Sequence, residues 1–130
     1  MNTPTIKYNK DPDFDKIAPF IKDALRKQDE LNYADVERRI KEGTMGVVEI
    51  GDYAVAIVQF MQYPNLNAIR IFAISGTRMM EWLPSFARYM IAWGKEYGVD
   101  RIEAMGRPGW ERVLDHYGAV KKYSFMTLEV

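Results

Sequence analysis

The chain has 130 residues, 48% of them hydrophobic and 28% charged, which suits one domain with one apolar core and excludes a disordered polar chain. Eighteen basic residues balance eighteen acidic ones, so no net field draws the chain to nucleic acid or to an anionic membrane, and neither is an expected partner. With no cysteine and a single histidine, His116, disulfides, thiolate nucleophiles and Cys-based metal sites are excluded, and no metal is expected.

No stretch reaches the roughly 18 uninterrupted apolar residues that span a bilayer, and the opening residues lack the apolar run of a secretory signal, so a cytoplasmic location is the expectation. A single domain over 1–130 is expected, since no linker-like or repeated segment divides the chain.

In chain order, Thr5 to Tyr8 reads as a short strand, and Asp11-Pro12 supplies a cap and a first-turn proline. Phe14, Ile17, Ala18, Ile21, Ala24 and Leu25 recur at helical spacing, with Pro19 expected to kink or restart that helix. Asn32 with Asp35 three residues on forms a capping box for a second helix, with Tyr33, Val36 and Ile40 on its apolar stripe and Gly43 at its end. The period then changes to two. Met45 to Ile50 and Tyr53 to Gln62 read as a hairpin about Gly51-Asp52. Pro64-Asn65 turns the chain into Ala68 to Ile74, whose nearly continuous apolar run predicts a central strand buried on both faces. These three strands are expected to be antiparallel.

A long helix follows with Leu83, Phe86, Ala87, Met90, Ile91 and Gly94 on one face. Pro84 places its regular start no earlier than about Met80. After Tyr97-Gly98 comes a strand, Arg101 to Met105, expected to run parallel to Ala68 to Ile74. Pro108-Gly109 opens a last helix, Trp110 to Tyr117, and the alternating segment Val120 to Val130 predicts a closing strand. Met61, Met79, Met80 and Met90 are expected to fill core gaps.

That order, β-α-α-β-β-β-α-β-α-β, resembles the GNAT fold of acyl-CoA N-acyltransferases over nearly the whole chain. It implies an α/β (α+β) class, with a central mixed sheet and helices on both faces. Glu81-Trp82-Leu83-Pro84 and Gly106-Arg107-Pro108-Gly109-Trp110, followed by Val113-Leu114 and Tyr117-Gly118, also look like small GNAT-like proteins encoded by tailed phages and prophages.

The resemblance implies a loop of Arg/Gln-x-x-Gly-x-Gly/Ala type after the fourth strand, whose amides and following helix N-terminus hold the CoA pyrophosphate. The matching stretch is Ser75-Gly76-Thr77-Arg78-Met79-Met80, with one glycine where the pattern has two small residues. If CoA binds, Phe72, Ala73 and Ile74 line its pantetheine arm and Gly76, Thr77, Arg78, Met79 and Met80 its pyrophosphate. On the last helix the family pattern sets Arg107 at an asparagine position, Trp110 at an alanine and Leu114 at the tyrosine that protonates the leaving thiolate. All three depart, and Tyr117, three residues beyond Leu114, is rotated by some 300° about the helix axis.

Glu103 and Tyr117 are the remaining catalytic candidates, with Glu49 and Asp115 as further carboxylates. His116 sits at a helix end, where the negative end of the macrodipole accounts for it. Trp110 is expected to anchor the fold, and Arg107 to pair with Glu103 or Glu81.

With these motifs altered, no cofactor is expected. The favoured function is a non-catalytic, protein-binding role of phage type, with a phage or host protein as partner, in virion assembly or in the host cytoplasm. The alternative is an acetyl-CoA-dependent N-acyltransferase acting on a small amine or a protein amino group.

Overall fold

Apolar side chains fill both parities of Met45–Ile50 (β2) and Ala54–Gln62 (β3), and the fold uses both faces of the resulting sheet. Val47, Val55 and Ile57 pack under two helices, Phe14–Leu25 (α1) and Tyr33–Glu42 (α2), with Ile17, Ile21, Val36 and Ile40. Val48, Ala54, Ala56 and Val58 face the other way, onto Trp82, Leu83, Phe86 and Met90 of Met79–Tyr97 (α3). The computed structural model describes residues 4–26, 28–105, 114–123 and 126–130.

Five strands, Ile6–Asn9 (β1), β2, β3, Asn67–Gly76 (β4) and Arg101–Ala104 (β5), lie in the order β1-β2-β3-β4-β5. The first three pairings are antiparallel, and β4 with β5 is parallel through the α3 crossover. The α+β class and the mixed sheet with helices on both faces are as the sequence predicts.

The second helix forms as its box requires, with Asn32 accepting from the Asp35 amide at 2.9 Å, Asp35 accepting from the Asn32 amide at 3.0 Å, and Gly43 closing it at φ 85°. The first helix is capped by Asp13 rather than Asp11, its carboxylate accepting from the Asp15 amide at 3.1 Å. Pro19 lies inside one continuous helix, which forgoes the i→i−4 bond to the Asp15 carbonyl that an N–H there would have made and does not restart. Similarly, α3 begins at Met79, one residue before the limit that Pro84 suggested. Tyr53 belongs to the hairpin turn, donating its amide to Ile50 at 3.0 Å.

Other expectations change. Two-face burial is most complete in β2 and the first half of β3, whereas the middle of β4 is half-buried. On α3, Ile91 is exposed and Trp82 takes the buried place, and Met80 is exposed while Met90 is buried.

Residues 106–113, which include Arg107 and the start of the last predicted helix at Trp110, lie outside the described residues. Leu114 and Asp115 are helical, and Gly118 ends the turn at φ 85° as expected. The predicted closing strand does not form among the described residues of 120–130, where Val120, Tyr123, Met126, Leu128 and Val130 are exposed. Alternation alone gives a strand only against a matching edge, and β5 offers four residues.

Candidate functional site

The sheet opens where β4 passes its midpoint. Opposite Ile57 and Val58, β4 sets Ala73 and Ile71, leaving Phe72 as an extra residue. This bulge turns the neighbours Phe72 and Ala73 both toward α1 and α2, while Ile74 returns to the α3 side. At the same level, pairing with β5 stops at Ile71 and Ala104, apart from the Met105 amide, which reaches the Ile71 carbonyl at 3.3 Å. Among the described residues, β4 is therefore laddered on its β3 side only from Phe72 to Gly76, and the point where its pairing with β5 ends is the fork of the sheet.

The open end of the fork meets the start of α3. Gly76, at φ 152°, leads out of β4, and a Cβ there would fall 2.3 Å from both the Ala54 Cβ and the Tyr53 carbonyl oxygen. Its glycine is thus required by contact with β3. The Thr77 amide donates to that same Tyr53 carbonyl at 2.9 Å, and the buried Trp82 indole donates to the Thr77 carbonyl at 2.7 Å.

Arg78 adopts a left-handed conformation, φ 59° and ψ 33°, with its guanidinium 4.8 Å above the Tyr53 ring and its Nε 4.0 Å from Glu81. No side chain caps α3. The amides of Met79 and Met80 precede the helix's own acceptors and point out of its first turn, at the positive end of the macrodipole. On the far side of β4, buried Ser75 donates its hydroxyl to Asp23 of α1, which also pairs with Arg26.

The closed end of the fork carries a polar cluster. Glu103 of β5 stands in register with Arg70 of β4. Its Oε1 accepts from the Tyr63 hydroxyl at 2.8 Å and from Arg70 Nε at 3.1 Å, and its Oε2 from Arg101 Nε at 2.8 Å and Nη2 at 2.7 Å. Arg70 Nη2 also donates to the Tyr63 hydroxyl at 2.8 Å. Burial by itself raises the Glu103 pKa, but the hydrogen bonds from Tyr63, Arg101 and Arg70 outweigh it and hold the carboxyl below the usual range.

No protein-family model matches the chain, and no curated protein matches it by sequence. Solved structures do. A probable acetyltransferase superposes with a TM-score of 0.76 at 12% identity, covering 97% of each chain. The ribosomal-protein-alanine N-acetyltransferase of Brucella melitensis biovar Abortus 2308 gives 0.71 at 9%, covering 97% of this chain and 99% of its own. An aminoglycoside N-acetyltransferase in complex with CoA gives 0.67 at 12%, covering 97% and 93%. The chain has the GNAT fold.

On this GNAT scaffold, Phe72, Ala73, Ile74, Gly76, Thr77, Arg78, Met79 and Met80 all fall along the open arm of the fork. The catalytic candidates do not gather there. Glu103 sits at the closed end, where three donors make it a poor proton acceptor. Arg70 and Arg101 pair with Glu103 and Arg78 lies against Glu81, whereas Arg107, expected beside one of these two carboxylates, lies outside the described residues. Glu49 accepts from Asn9 at 2.5 Å and lies 3.8 Å from Lys16 on the α1 side. Asp115 and His116 are exposed beside Tyr117, whose ring meets His116 edge-on at 5.6 Å.

Sequence reading missed Tyr53, Trp82 and the Tyr63–Arg70–Arg101 set. The strand-helix-strand register that brings Arg70 beside Glu103 was the available signal. It also missed Gln28, whose side-chain amide donates to the carbonyls of Leu25 at 2.9 Å and Leu31 at 2.7 Å and accepts from the amides of Glu30 and Leu31 at 2.9 and 2.8 Å. One side chain thus organises the turn between α1 and α2. Gln28→Ala is expected to cost about 1 to 3 kcal/mol through the backbone groups it strands, with faster amide exchange at Glu30 and Leu31. Unchanged unfolding in urea would show that water replaces the amide without loss.

Proposed function

We propose that the chain binds an acyl-CoA along the open arm of the β4–β5 fork and serves as an N-acyltransferase. The observation that carries this reading is the meeting, at one corner, of the Phe72 bulge, the end of β4–β5 pairing and the uncapped first turn of α3. The bound group would supply an activated thioester acyl for transfer to an amine.

The chain's residues suit such a ligand in a particular way. Phe72 to Gly76 offer a strand edge to the amides of an extended ligand, as in strand addition. Gly76 and the Thr77 amide are committed to Tyr53 and Ala54, so the anion-binding role falls to the Met79 and Met80 amides and the helix dipole. Arg78 stands beside them on the Tyr53 ring, and its contact with Glu81 is long and solvent-exposed, so an incoming phosphate displaces it at little cost.

Isothermal titration with acetyl-CoA tests this. Saturable binding is expected, weakened at least about tenfold in Arg78→Glu, which places a negative charge at the helix start. Absence of saturable binding to the wild type would overturn the reading. The occupied state of Glu103 favours a second one, a GNAT scaffold that binds a protein partner without catalysis. Acetyl-CoA binding with no transfer to any amine acceptor, small or protein-borne, would favour that alternative.

A further inference from the structure

The fork needs something to hold its closed end, and the polar cluster is built there. Among the described residues, β4 and β5 share four paired positions, Ala68↔Arg101 to Ile71↔Ala104. The strand supplying the second arm, β5, is four residues long, and a parallel pair that short is a weak ladder. Within those four positions, Glu103 takes hydrogen bonds from β4 through Arg70, from its own strand through Arg101, and from the β3–β4 turn through Tyr63. Arg70 further bonds Tyr63, so turn, β4 and β5 are joined in a closed ring of contacts. The Glu103 side chain is 14% exposed and those of Arg70 and Arg101 27% and 35%, shielded enough for geometry to count beyond a surface ion pair. Ile102, next to Glu103, faces the opposite side and touches α3 where Gly94 lets the helix close in, a Cβ there falling 2.9 Å from Ile102 Cδ1. The closed arm is thus fixed by polar contacts on one face and by packing on the other. The open arm, from Phe72 onward, has no such tie to β5 among the described residues.

We propose that Glu103 is a positioning residue: with Arg70, Arg101 and Tyr63 it clasps the closed arm of the β4–β5 fork and so sets how far the strands part at the Phe72 bulge. Its bearing on ligand affinity rests on the acyl-CoA reading above, whereas its bearing on the strands does not. Glu103→Gln keeps the size of the side chain, removes its charge and leaves Arg70 and Arg101 facing one another.

Amide hydrogen exchange and acetyl-CoA titration of the wild type and Glu103→Gln test the clasp together. Exchange at Ile102 to Met105 should rise at least about tenfold while β2 and β3 keep their protection, and the dissociation constant for acetyl-CoA should rise about tenfold in the fully folded variant. Tyr63→Phe, which removes one hydrogen bond and no charge, should show the same local pattern at smaller size, and it carries the test if Glu103→Gln does not fold. A uniform rise in exchange across the sheet, or none, would overturn the clasp. So would local loosening with unchanged acetyl-CoA affinity, since the width of the fork would then not depend on Glu103. If the wild type binds no acetyl-CoA, the acyl-CoA reading fails by itself, and the local exchange pattern alone upholds or overturns the clasp.

Discussion

Trp82→Ala is expected to destabilise the protein by about 3 to 5 kcal/mol, the range for removing a large aromatic side chain from a closed core. The ring is 2% exposed and meets Phe86 edge-on, with centroids 5.9 Å apart. The loss has a second part, because the indole N–H is the donor that reaches the Thr77 carbonyl. Trp82→Phe separates the two, keeping an aromatic body while leaving that carbonyl without its donor, so it should cost less than alanine and still loosen the turn into α3. Urea unfolding of both variants measures the difference. A loss below 1 kcal/mol for Trp82→Ala would mean that the corner of the fork is not anchored there. Because Thr77 and Arg78 form the entrance to the proposed anion site, acetyl-CoA affinity of the phenylalanine variant should fall as well.

Gly76→Ala should have a comparable effect, roughly 3 kcal/mol or more, from a strained positive φ together with overpacking. A methyl group at this position would meet the Ala54 Cβ, the Tyr53 carbonyl oxygen and the Ala54 Cα within 2.5 Å, and two of these three atoms are backbone, which cannot rotate aside. To admit the methyl, the end of β4 would have to move off β3, breaking the Thr77 to Tyr53 hydrogen bond and shifting Arg78 from the Tyr53 ring. Thermal melting reads the cost. A melting temperature within a degree or two of the wild type would show that the two strands can part here without penalty. The result also bears on how this glycine is understood. In the sequence it reads as the remnant of a phosphate cradle, and in the structure it is the residue that lets two strands touch.

The two variants act on one corner from opposite sides, Trp82 from within α3 and Gly76 from the strand end. Their costs should therefore not be additive, since both disturb Thr77. The GNAT fold is the setting for that corner, and fold alone does not carry an activity with it. In this corner the loop's carbonyl, its glycine and its first amide are already engaged, so on the acyl-CoA reading the anion is met by the amides that start α3.

The sequence by itself determined the local elements and their kind. Asn32 with Asp35 and Gly43 bounded a helix, Gly51-Asp52 and Pro64-Asn65 placed turns, and the run of β-branched residues between Met45 and Ile74 marked a sheet, because capping, turn chemistry and side-chain period are properties of neighbours along the chain. The parallel placement of Arg101–Ala104 followed from the length of the helix before it. Only the tertiary structure decided where the sheet forks. A bulge at Phe72 inside an unbroken apolar run leaves no mark in composition, since Phe72, Ala73 and Ile74 are apolar whichever face each one takes. The same limit applies to Glu103, which in sequence is one carboxylate among several. Its partners Tyr63 and Arg70 come to it across 40 and 33 residues, and only their arrival turns a candidate base into a fixed anion. Val120 to Val130 shows the converse, an alternating pattern that specifies which side chains would share a face but cannot supply the neighbouring edge that a strand requires.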